Sequence, residues 1–239
     1  MRPLKWESKP AKPMTMKYEL FVEGTDDQHV IWNLCTAWQM PETFRVSEKG
    51  GYDRVRAALP LALSTKRGPA HRVGMILDAD RPIPTDPNRG LLGRWQSLRD
   101  QLTGLGYQVP EHPNPDGLIC PHEAGERPTV GLWLWPDNQR DGILEDFLLD
   151  LIDPEDDLSR KAEQVLTELD AEKLARFAPQ DYPKAHLHTW LAWQEKPGRP
   201  YGQALKAGYL TLRQATLKPL ETWLHHLFNP FTPSNSPAV

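Results

Sequence analysis

The sequence predicts an α/β protein in which a mostly parallel sheet is flanked by helices and followed by a helical C-terminal appendage. Two observations support this fold class. Between residues 18 and 153, apolar runs of strand length alternate with amphipathic segments of helical period, as in β-α-β units. Beyond Pro154 the strand patterns stop, and only helical spacings of apolar residues continue.

The first β-α unit begins at residue 18. In YELFV (18–22) apolar and other residues alternate up to Gly24, which predicts a buried strand that ends at a turn. Apolar residues at helical spacing follow, and Pro41 ends the predicted helix. Thr25 and Gln28 have the spacing of a capping box, so we expect them to cap this helix.

The next two units repeat this order. The sequence predicts a short strand at 44–46, a turn at Gly50-Gly51 and a helix that carries Val55. A compact apolar run at 73–77 then ends abruptly in acidic residues, which is typical of a fully buried parallel strand.

Three further elements complete this part of the chain. Apolar residues at helical spacing from 91 to 102, followed by glycines, predict a helix. TVGLWLWPDN (129–138) alternates as a strand, and DGILEDFLLDLI (141–152) has apolar residues on one helical face. Alternating strands and helices imply parallel strands that are covered on both faces.

These patterns divide the chain into four regions. They are a basic N-terminal arm (1–17), the sheet domain (18–153), a helical C-terminal region (154–229) and a disordered tail (230–239) rich in proline and serine. A chain of 239 residues is long enough for one large core with such additions.

Composition excludes several classes of protein. With 39% hydrophobic and 25% charged residues the chain should fold, and no apolar run reaches the roughly 20 residues of a membrane helix. Cys35 and Cys120 form neither a disulfide framework nor a CxxC site, which fits a reducing cytoplasm. The net charge of −4 argues against a general basic nucleic-acid binder. The sequence leaves open whether the protein forms a homo-oligomer.

Acidic residues lie at the carboxyl ends of two predicted parallel strands. Glu23 follows the first strand, and Asp78 and Asp80 follow the strand at 73–77. Open α/β sheets place their sites at this edge, so we expect these acids to converge. Asp27, one helical turn after Glu23, could reach the same cavity. Carboxylate oxygens suit Mg²⁺ or Mn²⁺, and a divalent ion would relieve the repulsion between them.

These acids also have simpler explanations. Asp26 and Asp27 suit the first turn of a helix because of the helix dipole. A lone DxD motif is shared by glycosyltransferases and phosphatases, and only Glu23 on an earlier strand makes it selective. If Asp78 and Asp80 do belong to a crowded acidic cluster, replacing either by asparagine should raise the metal-free thermal stability.

A third group of polar residues follows the strand that begins at 129. Asp137 is a candidate metal ligand, and Asn138 and Glu145 are candidate ligands or partners of ligands. Glu145 and Asp146 could equally form the solvated face of the next helix.

The segment KAHLHTWLAWQEKPG (184–198) brings basic and aromatic residues together. Lys184 is a candidate catalytic cation for contact with a scissile phosphate, a role that an imidazole of the segment could also fill. Trp190 and Trp193 beside it suggest stacking on an unpaired base. The alternative is that the tryptophans belong to the core and that the basic residues lie on the surface.

Two segments resemble the Toprim signature of topoisomerases, primases and OLD-type defence nucleases: LFVEGTDDQHVI (20–31) and GMILDADRP (74–82). The EGxxD spacing is more similar to that of the OLD-type nucleases. PDNQRDGILEDFL (136–148) and KAHLHTWLAWQEKPGRPYGQAL (184–205) look like a family of small stand-alone Toprim-like proteins, classed as a domain of unknown function. This likeness covers nearly the whole chain.

The resemblance implies a Toprim-like Rossmannoid sheet and a metal-binding domain at 18–153. It also implies that Glu23, Asp27, Asp78 and Asp80 are the metal ligands. Nothing in the family assigns a substrate.

We therefore expect a nuclease that uses Mg²⁺ or Mn²⁺ to cleave phosphodiester bonds of DNA, or secondly of RNA, in antiphage defence or nucleic-acid processing. Its catalytic residues would be Glu23, Asp78, Asp80 and Lys184. One alternative is a phosphatase with Asp78 as the nucleophile and Asp80 as acid/base. The other is a regulatory subunit that binds metal or nucleotide and acts with a separately encoded ATPase, since the chain has no Walker A motif.

Overall fold

The computed structural model describes residues 18–64 and 68–229, and the strands in these residues form one five-stranded sheet. They are β1 (Tyr18–Val22), β2 (Phe44–Glu48), β3 (Arg72–Asp78), β4 (Leu118–Cys120) and β5 (Thr129–Trp135). The predicted basic arm at 1–17 and the predicted disordered tail at 230–239 lie outside the described residues.

Helices connect and follow the strands. They are α1 (Thr25–Ala37), α2 (Tyr52–Ser64), α3 (Leu91–Thr103), α4 (Leu144–Leu149), α5 (Asp157–Ala171), α6 (Tyr182–Ala192), α7 (Tyr201–Lys206) and α8 (Gln214–Phe228). A 3₁₀ turn at Pro179–Asp181 leads into α6. In the described part of the chain, no helix combines the length and apolarity needed to cross a membrane.

The sheet has the order β2-β1-β3-β5-β4, in which β4 alone is antiparallel to its neighbour. This order confirms the predicted α/β class with a mostly parallel sheet. Val22 on β1 lies opposite Ile76 on β3, and Asp78 on β3 lies opposite Trp135 on β5. The carboxyl ends of three neighbouring strands therefore meet at one edge of the sheet.

β4 is the strand that the sequence patterns did not indicate. It has only three residues, and Leu118 lies opposite Leu132 of β5. Three residues are too few to show an alternation of apolar and polar positions. The pairing with β5, rather than a local preference, makes this segment a strand.

Two apolar cores cover the two faces of the sheet. On one face α2 and α3 contribute the buried residues Val55, Leu59, Trp95 and Leu98. On the other face α1, α4 and the C-terminal helices form one cluster with β1, to which they contribute Val30, Leu34, Phe147, Trp190, Trp223 and Leu227. The helical C-terminal region thus shares its core with the sheet, and the predicted boundary near Pro154 stays a prediction.

α8 packs closely on the central strands because two glycines leave room for it. A Cβ atom on Gly131 of β5 would lie 2.4 Å from Cδ2 of Leu227, and one on Gly74 of β3 would lie 2.9 Å from the same atom. Such distances are far shorter than van der Waals contact. The two glycines therefore set how near the helix comes to the sheet.

Gly131→Ala should lower the free energy of unfolding by roughly 1–3 kcal/mol, because the added methyl group overlaps Leu227. In thermal denaturation this corresponds to a fall in Tm of roughly 2–10 °C for a chain of this size. The fall should be smaller in a Leu227→Ala background. Gly104→Ala is the control, since a Cβ atom there comes no closer than 3.4 Å to its neighbours. Equal falls in both backgrounds would contradict the packing.

Candidate functional site

Glu23 and Asp78 are in contact at the carboxyl edge of the sheet. Glu23 directly follows β1 and Asp78 ends β3, and these strands are hydrogen-bonded neighbours. The backbone N–H of Asp78 donates to Oε1 of Glu23 over 2.8 Å. The expected convergence of the two strand-end acids is confirmed.

Asp27 faces this pair from the first turn of α1. Its Oδ2 accepts from the backbone N–H of Gly24 over 3.1 Å, and its Oδ1 accepts from the indole N–H of Trp135 over 2.9 Å. The prediction that Thr25 and Gln28 cap this helix is wrong. Gly24 is the N-cap residue, and the Gln28 amide donates to the carbonyl of Val46.

Glu145 is a further acid of the site. It lies in the first turn of α4 and is only 7% exposed, and its Oε1 accepts from the hydroxyl of Tyr201 over 3.1 Å. Asp146 is 9% exposed and forms an ion pair with Arg81. The alternative that these two acids form a solvated helix face is therefore wrong. The same turn contacts β3, because the backbone N–H of Leu144 donates to Oδ1 of Asp78 over 2.9 Å.

The four carboxylates form a cluster of like charges, in which Asp27 and Glu145 are buried and Glu23 and Asp78 are half-buried. The pKa of Glu23 is raised to about 7, mainly by burial and in smaller part by the charges of Asp27 and Asp80. Burial likewise raises the pKa of Asp27 to about 6, with a contribution from Glu145. The pKa of Asp78 lies well above its ordinary value because of burial and of the charges of the other three acids. The cluster consequently favours bound protons or a bound cation.

The Asp80 side chain is paired with two arginines rather than with the other acids. Arg89 donates to its Oδ1 over 2.9 Å, and Arg94 of α3 forms an ion pair with its Oδ2. The backbone of Asp80 has a φ of 62°, a conformation that aspartate tolerates better than most residues. Its charge still acts on Glu23. Asp80 therefore lies between the acidic cluster and an arginine pair. Its charge is attracted by the two arginines as well as repelled by the acids.

The two polar residues that follow β5 have other partners. Asp137 accepts from the backbone N–H groups of Gln139 and Arg140 and forms an ion pair with the Arg140 side chain. Asn138 is buried, and its Oδ1 accepts from the backbone N–H of Leu134. These contacts describe a tight turn that is closed by side chains.

α6 and α7 bring basic and aromatic groups to Glu145. The charge of Lys184, which is exposed, lowers the pKa of Glu145 against the larger raising effect of burial. The ring of His188 is hydrogen-bonded to the Tyr201 hydroxyl over 2.9 Å. Trp190 is buried in the core and donates to Asp156, so it does not stack on a base, whereas Trp193 is largely exposed.

Tyr201, Arg89 and Arg94 are residues of this region that the sequence reasoning missed. A signal for Arg94 was present: it lies among Leu91, Trp95 and Leu98 on the apolar face of α3, where a charged residue needs a buried partner. For Tyr201 and Arg89 we find no comparable local signal.

The donor set of the cluster suits a hard divalent cation. Each carboxylate has two oxygens with about four acceptor positions, and the hydrogen bonds described above use only part of them. As the side chains now stand, no three His, Cys, Asp or Glu residues in the described ranges are grouped closely enough to hold one metal ion.

Fold and site together define an α/β protein with a carboxylate cluster at the carboxyl edge of parallel strands. A family model described as "Protein of unknown function (DUF3226)" matches residues 17–229, and the chain belongs to this family. This confirms the expected membership of a domain family of unknown function. Searches of curated proteins and of solved structures give no match. The relationship to Toprim and OLD-type proteins stays a prediction.

Metal-free protein should become less stable as the pH rises from about 5 to about 8. The pKa values of Glu23 and Asp27 are raised to about 7 and about 6, so the folded state retains protons that the unfolded state has already lost. Stability is therefore highest below these values. One pKa unit corresponds to about 1.4 kcal/mol, which predicts a fall in Tm of roughly 5–10 °C in chelator. The fall in Tm should be smaller in Glu23→Gln. An unchanged pH dependence of the Tm in this variant would contradict the raised pKa of Glu23.

Asp78→Asn and Asp80→Asn should change the metal-free Tm in opposite directions at pH 8. Asp78→Asn removes a repelled charge and keeps an oxygen for the N–H of Leu144, so the Tm should rise by roughly 2–5 °C. Asp80→Asn should lower the Tm by a similar amount, since it leaves Arg89 and Arg94 without their carboxylate. Asparagine tolerates positive φ as well. Increases in both variants would contradict the observed pairing.

Proposed function

We propose that this protein is a nuclease that uses Mg²⁺ or Mn²⁺ to cleave phosphodiester bonds, with DNA as its first substrate and RNA as its second. The observation that carries the proposal is the cluster of Glu23, Asp27, Asp78 and Glu145 at the ends of β1 and β3. Burying several carboxylates together is costly, and a divalent cation is the ligand that best balances their charge.

In this proposal Glu23, Asp27 and Asp78 are the principal metal ligands, with Glu145 as a further ligand or a support of the ligands. The metal ion would activate a water molecule and stabilise the charge on the leaving oxygen. Lys184, exposed near Glu145, is proposed to contact the scissile phosphate. The contacts of Asp137 with Arg140 give no support to a ligand role for that residue.

A Toprim-type relationship is part of the proposal. It is supported by the positions of a glutamate directly after β1, a DxD sequence at the end of β3 and an aspartate one turn into α1. The contact between Glu23 and Asp78 joins the two halves of the pattern. A role in antiphage defence is proposed from the resemblance alone, and a separately encoded ATPase partner belongs to the regulatory alternative.

The phosphatase alternative has less support. It requires Asp80 to exchange a proton with the substrate, yet both carboxylate oxygens of Asp80 are paired with arginines. Neither oxygen is therefore free for proton transfer to or from a substrate. That alternative also assigns no role to Glu23, which contacts the proposed nucleophile Asp78 directly.

The direct test is incubation of the full chain with single-stranded DNA, double-stranded DNA and RNA, each with Mg²⁺, Mn²⁺ or chelator. We expect metal-dependent cleavage of DNA, detected as shortened fragments on denaturing gels. Metal binding without cleavage of any of these substrates would contradict the nuclease proposal and favour the regulatory alternative.

Glu23→Gln should reduce metal-dependent cleavage at least about 100-fold, because it removes one charged ligand without changing the shape of the side chain. The fold should be retained, as judged by circular dichroism and thermal denaturation. Glu19→Gln on the same strand, distant from its carboxyl end, is the matched control and should cleave normally. Full cleavage by Glu23→Gln would exclude this glutamate as a ligand.

A further inference from the structure

Two arginines and one aspartate form an ion-paired cluster beside the acidic cluster. Arg89 and Arg94 share the single carboxylate of Asp80, so these three side chains carry an excess of one positive charge. The side chains of Arg89 and Asp80 are 26% and 17% exposed, so solvent reaches the cluster on their side. In a chain with a net charge of −4 this local excess is a distinct feature.

This cluster also includes buried donors that lack an acceptor. The guanidinium of Arg94 lies 3.7 Å from the centroid of the Tyr52 ring, and Tyr52 is only 8% exposed. The Tyr52 hydroxyl and the Nε atoms of Arg89 and Arg94 are buried and have no hydrogen-bond partner among the described residues. Each such donor forfeits its hydrogen bonds to water. A bound acceptor group would restore such bonds.

We propose that Tyr52, Arg89 and Arg94 bind a phosphate group of the nucleic-acid strand, which takes over the arginine contacts now made by Asp80. A phosphate carries negative charge and several strong acceptor oxygens, and guanidinium groups match it in geometry. This inference rests on the proposed nuclease function, because it assigns the strand's phosphate to residues next to the proposed metal ligands.

If a phosphate replaced Asp80 as the partner of the two arginines, the Asp80 side chain would be free to complete the metal site. Asp80 lies two residues after Asp78, and its charge already acts on Glu23. Its backbone is held by reciprocal hydrogen bonds with Gly142, of 2.7 and 2.9 Å, so only the side chain needs to rotate. The strand and the metal ion should then increase each other's affinity, since such coupling is reciprocal. Substrate binding would thus assemble the metal site.

The first test measures binding of a short, fluorescently labelled single-stranded DNA in chelator by anisotropy, where no cleavage takes place. Tyr52→Phe should weaken binding about 3- to 10-fold without lowering the Tm, because its hydroxyl has no partner to lose. Arg89→Gln should weaken binding about 10-fold. Tyr18→Phe, at the amino end of β1 and thus at the other end of the strand from the site, is the control and should bind normally. Equal affinities in all variants would overturn the phosphate site. Displacement of DNA by inorganic phosphate at equal phosphate concentration would show that the site takes free phosphate, and this would overturn the assignment to the nucleic-acid strand.

The second test measures Mn²⁺ affinity by titration calorimetry, with and without phosphorothioate DNA, which resists cleavage. The wild-type affinity should rise about 5- to 100-fold when DNA is bound, whereas Asp80→Asn should show no rise. An unchanged wild-type affinity, or an equal rise in Asp80→Asn, would overturn the coupling. Binding in chelator is independent of cleavage, so a protein that binds as described but never cuts would contradict only the proposed function.

Discussion

The forced proximity of acids on two neighbouring parallel strands is the constraint on which the rest of the site depends. Hydrogen bonding between β1 and β3 places Glu23 against the backbone of Asp78. The register between the two strands keeps these residues adjacent. The repulsion is therefore built into the fold, and the surrounding elements reduce its cost with backbone and indole N–H groups directed at the carboxylates.

The C-terminal helices contribute to the site as well as to the core. Packing of α7 against α1 and of α6 against α4 brings Tyr201 and Lys184 to Glu145. α8 packs closely on Gly74 and Gly131, and this packing holds the same region on the sheet. Helices that the sequence presents as an appendage therefore supply groups that surround the strand-end acids. Separating them from the sheet would expose both the core and Glu145.

Asp80 shows that two acids close in sequence can have different charged partners. It follows Asp78 by two residues, and the pattern DxD alone suggests that both acids act alike. In the structure Asp78 belongs to the buried cluster, whereas Asp80 is neutralised by Arg89 and Arg94. Because Asp80 lies between acids and arginines, a change in the local charge can change which groups its carboxylate contacts.

The sequence by itself determined the α/β class, the positions of the parallel strands, the location of Glu23 and Asp78 at their carboxyl ends and that of Asp27 one helical turn further on. These features follow from local periodicity and from the direction of each strand, which a single segment encodes. Only the tertiary structure decided that Asp80 pairs with arginines and that Glu145 is buried. Such choices depend on segments far apart in the chain, because burial and partner charges arise when α3, α4 and α7 pack around the sheet edge.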